Sequence, residues 1–263
     1  MTALSAAPAP GPGPADARRS LRRLHRPALL VWTAFGLLVT GWLLWLHFSR
    51  VPAERACQGF RYSADGDLPA CHYSAFTDAD NVFNFLGEAL GWSCVAVAAW
   101  AGAALIGREL ESGTARLAWT QSVSPARWLA GKLIAAAVPL LAGGGVLALA
   151  FGWVWTSDQG ALVTNWTWDR VFIPRGPLLP ALLLLGLAVG TLAGIALRRA
   201  LPALAVAAAV TLVIRLCLPT AWQPLHGPLH GFWAVHLAAT AMVLVLAAAA
   251  FTGAFSLLRH RAR

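Results

Sequence analysis

The residues able to do chemistry are few, and they sit in the connections between apolar runs. Cys57 and Cys71 share one polar connection. In an oxidising compartment they would close a loop through a disulfide contributing about 3 kcal/mol; two free thiols are the alternative. His226 and His230 are four apart, a spacing that holds a metal on a helix, but Pro224 and Pro228 interrupt any helix there. His72, Asp78, Asp80 and His226 are polar enough for acid–base or metal work, yet their spacing matches no known constellation. No catalytic set, cofactor site or metal site is therefore assigned. An enzyme working through these residues stays as the rival reading, and a non-transporting membrane scaffold as a third.

Inside the apolar runs, ionisable residues are rarer still. Glu88, Arg215 and His236 are expected near the outer ends of their segments. A proton- or sodium-driven carrier commonly needs a buried carboxylate, and an intramembrane hydrolase needs a buried nucleophile or base. Neither is evident at mid-depth. If the chain transports anything, the energy should come from outside it. No Gly-x-x-x-x-Gly-Lys-Ser/Thr phosphate loop occurs; Gly131-Lys132 lacks the earlier glycine and is followed by Leu133.

The elements that carry these residues are membrane spans. The chain has 263 residues, 58% of them hydrophobic and 12% charged. About 20 apolar residues in a helix cross a bilayer's hydrocarbon core. Six such segments can be drawn: 27–48, 82–106, 133–155, 178–197, 201–216 and 232–258. The fifth is at the short end. Strands are disfavoured, because an open sheet leaves backbone groups unpaired in lipid. The fold expected is an all-α, polytopic bundle of six spans over residues 27–258. A disordered basic segment, residues 1–26, precedes it, and a basic tail, residues 259–263, follows. Leu21–Arg26 could instead lie as a short amphipathic helix on the inner leaflet.

The net charge of +9 sits at the ends of the apolar runs, as topology signals do, and not on a nucleic-acid surface. With the N-terminus inside, the inner connections and termini hold fourteen Lys and Arg residues and the outer ones six. Both termini are then cytoplasmic and the chain is a multi-pass protein of the plasma membrane. Trp45, Trp153, Trp155 and Trp233 fall at outer ends and Trp32 near an inner end, where indole rings are favoured. Gly186, Gly190 and Gly194 recur every fourth residue and form a smooth face for close helix packing. Pro139 and Gly143, Gly144 and Gly145 should weaken or kink the third span.

The most informative connection is the cytoplasmic one between the second and third spans, Gly107 to Lys132. Gly113 permits a sharp turn. Thr114 could cap a short helix through Leu117 and Trp119, and Ser124 caps the next helix with Pro125 at its first position. That next helix runs on into the third span. The short helix should lie across the inner face, where a soluble partner could grip it.

The order Glu-x-Gly-Thr, a short apolar helix, then Ser124, Arg127 and Gly131-Lys132 opening a span resembles the ABC-2 family of permeases. The run Leu117–Ser124 followed by Arg127-Trp128-Leu129 is similar to its actinobacterial branch. The resemblance implies a coupling helix docking on a separate ABC ATP-binding subunit, which binds and hydrolyses the ATP. Glu111, Gly113 and Thr114 would form its turn, and Leu117, Trp119, Thr120 and Gln121 its docking face. Arg127 and Lys132 would anchor the loop at the inner headgroups. It further implies an exporter that pairs with itself or with a sister permease, and no enzymatic activity in this chain. The Cys57/Cys71 connection is outside the general family pattern and inherits no role.

Overall fold

The computed structural model describes residues 14–52, 73–120, 124–159, 162, 164–226 and 231–262. Among these residues every regular element is helical. In chain order they are α1 (Pro14–Trp45), which closes in a π turn at Leu46–Arg50, and α2 (Tyr73–Trp100). A π-helical stretch, Ala101–Gly107, carries α2 into the one-turn α3 (Arg108–Glu111). Then come α4 (Thr114–Thr120), α5 (Pro125–Asp158), the short α6 (Asp169–Phe172), α7 (Leu178–Leu197), α8 (Ala200–Trp222) and α9 (Phe232–Ala262).

Six helical stretches among the described residues are long and apolar enough to cross a membrane. They are Pro27–Arg50, Ala79–Glu111, Pro125–Asp158, Leu178–Leu197, Ala200–Leu225 and Phe232–Arg261, spans 1 to 6 below. The largest departure from expectation is span 5, which has 26 residues and continues past Arg215 and Pro219. Arg215 does not end the segment because its guanidinium is buried against span 2 instead of reaching water. At the start of the chain, α1 begins at Pro14, so residues 14–26 are helical and continuous with span 1.

Span 4 is the axis of the bundle. Its apolar window is 83% buried, against 17% for span 1 and 22% for span 6. Glycine explains how a helix fits there. A Cβ on Gly190 would stand 2.8 Å from the Ala101 Cβ and 3.0 Å from the Gly102 nitrogen; one on Gly194 would stand 2.9 Å from the Ile106 Cβ. Gly186 faces the Cys94 and Ala98 backbone in the same way. Span 4 thus lies on span 2 backbone to backbone, the arrangement the four-residue repeat predicts.

Span 3 stays one continuous helix through Pro139 and the glycine run. Proline lacks the N–H of a normal helical turn, and Gly143 has no side chain to cover the backbone beside it. Trp32 of span 1 fits against Gly143 and donates its indole N–H to the Pro139 carbonyl at 3.1 Å. This docks span 1 on span 3. Trp155 is also internal: it is 6% exposed, donates to Thr164 Oγ1 at 3.1 Å and supports the Arg175 guanidinium at 3.9 Å. It is therefore a packing residue, whereas Trp45, Trp153 and Trp233 are exposed, as the interface pattern expects.

Both ends of the bundle are tied by polar contacts. At one end, His47 and Asp158 join spans 1 and 3 at 2.8 Å, and the Leu178 N–H donates to His236 Nε2 at 3.3 Å, closing the start of span 4. At the other, Arg198 takes a left-handed turn (φ 55°) between spans 4 and 5. There Arg261 donates to the Ile195 and Ala196 carbonyls at 2.8 Å, satisfying two of the orphan acceptors at the end of span 4.

Candidate functional site

The second of these ends, the loop end, carries α3, α4 and the start of α5. The turn from α3 to α4 works because Gly113 has φ +74°, a conformation that side chains with a Cβ rarely adopt. Its carbonyl accepts from the Arg116 and Leu117 N–H groups, so Gly113 holds the position at the head of α4. Thr114 is the first helical residue, and its hydroxyl donates back to the Glu109 carbonyl at 3.2 Å instead of capping the first turn. Ser124 does cap α5, accepting from the Arg127 N–H at 3.4 Å with Pro125 next in line.

Three linkages hold α4 and the turn α3 before it against the bundle. Trp119 meets the edge of Trp128 at 5.9 Å between ring centroids. The Lys132 ammonium lies 5.6 Å from the centre of the Trp128 ring and is ion-paired with Glu109. The Glu111 carboxylate accepts from the Ala200 N–H at 2.9 Å, which ties the same turn to the first residue of span 5. α4 itself is linked to span 3 through Trp119–Trp128, and the preceding turn α3 is linked to spans 3 and 5 through Lys132–Glu109 and Glu111–Ala200. Ala115 forms the buried side of α4, and Arg116, Leu117 and Thr120 are exposed on the other.

The predicted site residues thus separate into two groups. Leu117, 64% exposed, and Thr120 face outward, and Trp119 packs inward. Lys132 does not point toward headgroups: it is 5% exposed and paired inside the protein, whereas Arg127 is exposed. Gln121, Cys57, Cys71, His72 and His230 lie outside the described residues, as do the side chains of Asp78 and His226. Asp80 is partly buried. Glu109 and the Glu111–Ala200 bond were not legible beforehand, because both depend on which spans meet at this end.

A second surprise is Arg215. It lies ten residues inside span 5, only 5% exposed, with its guanidinium carbon 5.1 Å from the centre of the Trp92 ring. It forms no ion pair among the described residues, and its Nε has no hydrogen-bond partner. Gly91 makes room for it, since a Cβ there would stand 3.3 Å from Arg215 Nη2. The expectation that Arg215 lies near the outer end of its segment is corrected here: the arginine is tolerated inside the span because an indole face receives it.

Two outcomes are expected at the loop end. Gly113→Ala meets no neighbour within 4 Å, so its cost is the left-handed backbone alone, about 1 kcal/mol. Hydrogen exchange should rise in 108–120 with the melting temperature of the bundle unchanged. Glu109→Gln leaves the Lys132 charge buried without its carboxylate; the expected loss is about 3 kcal/mol of stability, read as a lower melting temperature in detergent. Glu109→Leu combined with Lys132→Met should recover most of it.

Among the curated proteins and the solved structures compared, none matches this chain. A family model does, over residues 28–223, from the first span through the fifth and across the whole α3–α5 turn. With six membrane-spanning helices and this match, the chain belongs to the ABC-2 membrane transporter related family and is a multi-pass membrane transporter permease.

Proposed function

We propose that the chain is the membrane half of an ABC exporter, worked by ATP hydrolysis on a separate ATP-binding subunit that docks on α4. The observation that carries this is mechanical. A seven-residue helix projects from the end of the bundle with an apolar residue, Leu117, bare on its outer side. Its inner side is linked to span 3 through Trp119–Trp128, and the turn from which it springs is linked to spans 3 and 5 through Lys132–Glu109 and Glu111–Ala200. An isolated exposed leucine needs no explanation by itself. One mounted on such a lever, in a chain of this family, is a docking contact. Glu111, Gly113 and Thr114 then set the lever's angle, Leu117 and Thr120 touch the partner, and Trp119 and Lys132 pass the movement on.

In this reading the loop end is cytoplasmic, both termini lie on that side, and the protein resides in the plasma membrane, as the Lys and Arg distribution favours. The exposed apolar faces of spans 1, 5 and 6 leave room for a second permease copy or a sister subunit, completing an assembly with two ATPase subunits. Purification of the full chain from its native membrane should bring an ABC ATPase with it. Crosslinks from Leu117 should land on that subunit. Recovery of the intact bundle with no nucleotide-binding protein, in repeated mild solubilisations, would refute the docking assignment.

A further inference from the structure

A groove of about 1140 Å³ opens between spans 1, 2 and 3 and ends among the residues of the α3–α4 turn. It exceeds the roughly 300–1,000 Å³ typical of sites for drug-sized molecules. On span 2 its lining runs from Ala89 to Arg108, about 28 Å at helical rise, which is well beyond one leaflet's half of an approximately 30 Å hydrocarbon core. Its walls are apolar and aromatic, with Trp32, Phe35, Trp92 and Trp100 along its length.

Apart from Ser93, whose hydroxyl donates to the Leu90 carbonyl at 2.6 Å, the polar lining lies at the mouth. There stand Arg108, Glu109, Ser112 and Thr114. The Glu109 charge is neutralised by Lys132, and the Thr114 hydroxyl is engaged by Ser112 at 3.0 Å and the Glu109 carbonyl. Arg108 is exposed and forms no ion pair among the described residues. Pro27 also lines the groove. The mouth is thus a net positive rim above a long apolar slot.

We infer that this groove binds an anionic phospholipid, its headgroup at Arg108 and an acyl chain along Trp32, Trp100 and Trp92. A basic residue at the membrane surface attracts anionic lipid electrostatically. The slot's length suits a chain and not a compact solute. What becomes of the bound lipid rests on the permease reading, with the α3–α4 turn then both wall of the site and seat of the drive. Occupancy itself does not rest on it.

The test uses the full chain in phosphatidylcholine nanodiscs without any ATPase, with a phosphatidylglycerol carrying a photoactivatable group in its acyl chain. Adducts are mapped by mass spectrometry. They should concentrate on 27–35, 89–105 and 135–140, and unlabelled phosphatidylglycerol should compete better than phosphatidylcholine. Ala96→Trp and Ala135→Trp, on opposite walls at exposed positions, should each remove these adducts while melting remains normal. Arg108→Gln should keep the adducts but erase the headgroup preference. Labelling spread over the outer faces of spans 5 and 6, and indifferent to both tryptophans, would mean lipid surrounding the bundle and no site. Equal competition by phosphatidylcholine in the unmodified chain would overturn the anionic assignment. Failure of the permease reading shows differently, as loss of ATPase copurification with groove labelling intact.

Discussion

Leu117→Asp is expected to release the ATP-binding subunit while leaving the membrane bundle folded. Leu117 is 64% exposed and makes no part of the buried core, so the bundle loses nothing when it changes. At a docking surface a central apolar contact replaced by a charge typically costs about 2 kcal/mol or more, roughly 30-fold in affinity. Copurified ATPase should fall accordingly, and transport with it. Thr120→Ala, at the rim of the same face, should change binding little. If Leu117→Asp keeps its partner and its transport rate, α4 is a surface turn resting on lipid headgroups and the docking reading fails.

Trp119 makes a sharper contrast than its bulk suggests. Its ring packs on Trp128 and its indole N–H is buried without a partner. Trp119→Ala should therefore leave Leu117 able to bind the partner but cut the link from α4 to span 3. Binding and coupling then separate: the Leu117 variant loses both, and the Trp119 variant keeps ATPase association while its hydrolysis no longer drives transport. A lever and a mere landing patch differ in that pattern.

Why one was legible and the other not follows from the range of the physics. Six apolar stretches, the Gly113 turn and the Ser124–Pro125 cap are local features, and each stands where residue type puts it. Gly186, Gly190 and Gly194 are local in the same sense: a four-residue repeat puts them on one helix face whatever lies opposite. What could not be read was the partner of each charge. Lys132 looks like a headgroup anchor by sequence position, and only the folded end of span 2 supplies Glu109. Arg215 looks like the end of a span until Trp92 is seen to receive it. The length of span 5 was misjudged for the same reason: a cation marks a membrane boundary only if nothing inside the bundle accepts it.

Gly190→Val should prevent recovery of the folded bundle altogether. The site has no slack: the nearest atoms to a new Cβ belong to the backbone and Cβ atoms of span 2, among them Ala101 Cβ at 2.8 Å and Gly102 N at 3.0 Å. Rotamer changes cannot move them, so the two helices must separate. Overpacking in a core costs about 1–3 kcal/mol when side chains can yield, and more where they cannot. Span 4 touches most of the bundle, so a separation here propagates to spans 3, 5 and 6. Close packing also replaces the hydrophobic drive that helices lack in lipid, which makes the loss hard to offset elsewhere. Gly190→Ala should give a milder version, a lowered melting temperature with residual folded protein. Gly145→Ala, with nothing within 4 Å of its new Cβ, serves as the control and should be neutral or slightly stabilising, by about 0.5 kcal/mol. Equal melting of the Gly190→Val and Gly145→Ala proteins would show that span 4 does not lie on span 2 in the membrane, and the lever at the loop end would then have no axis to turn against.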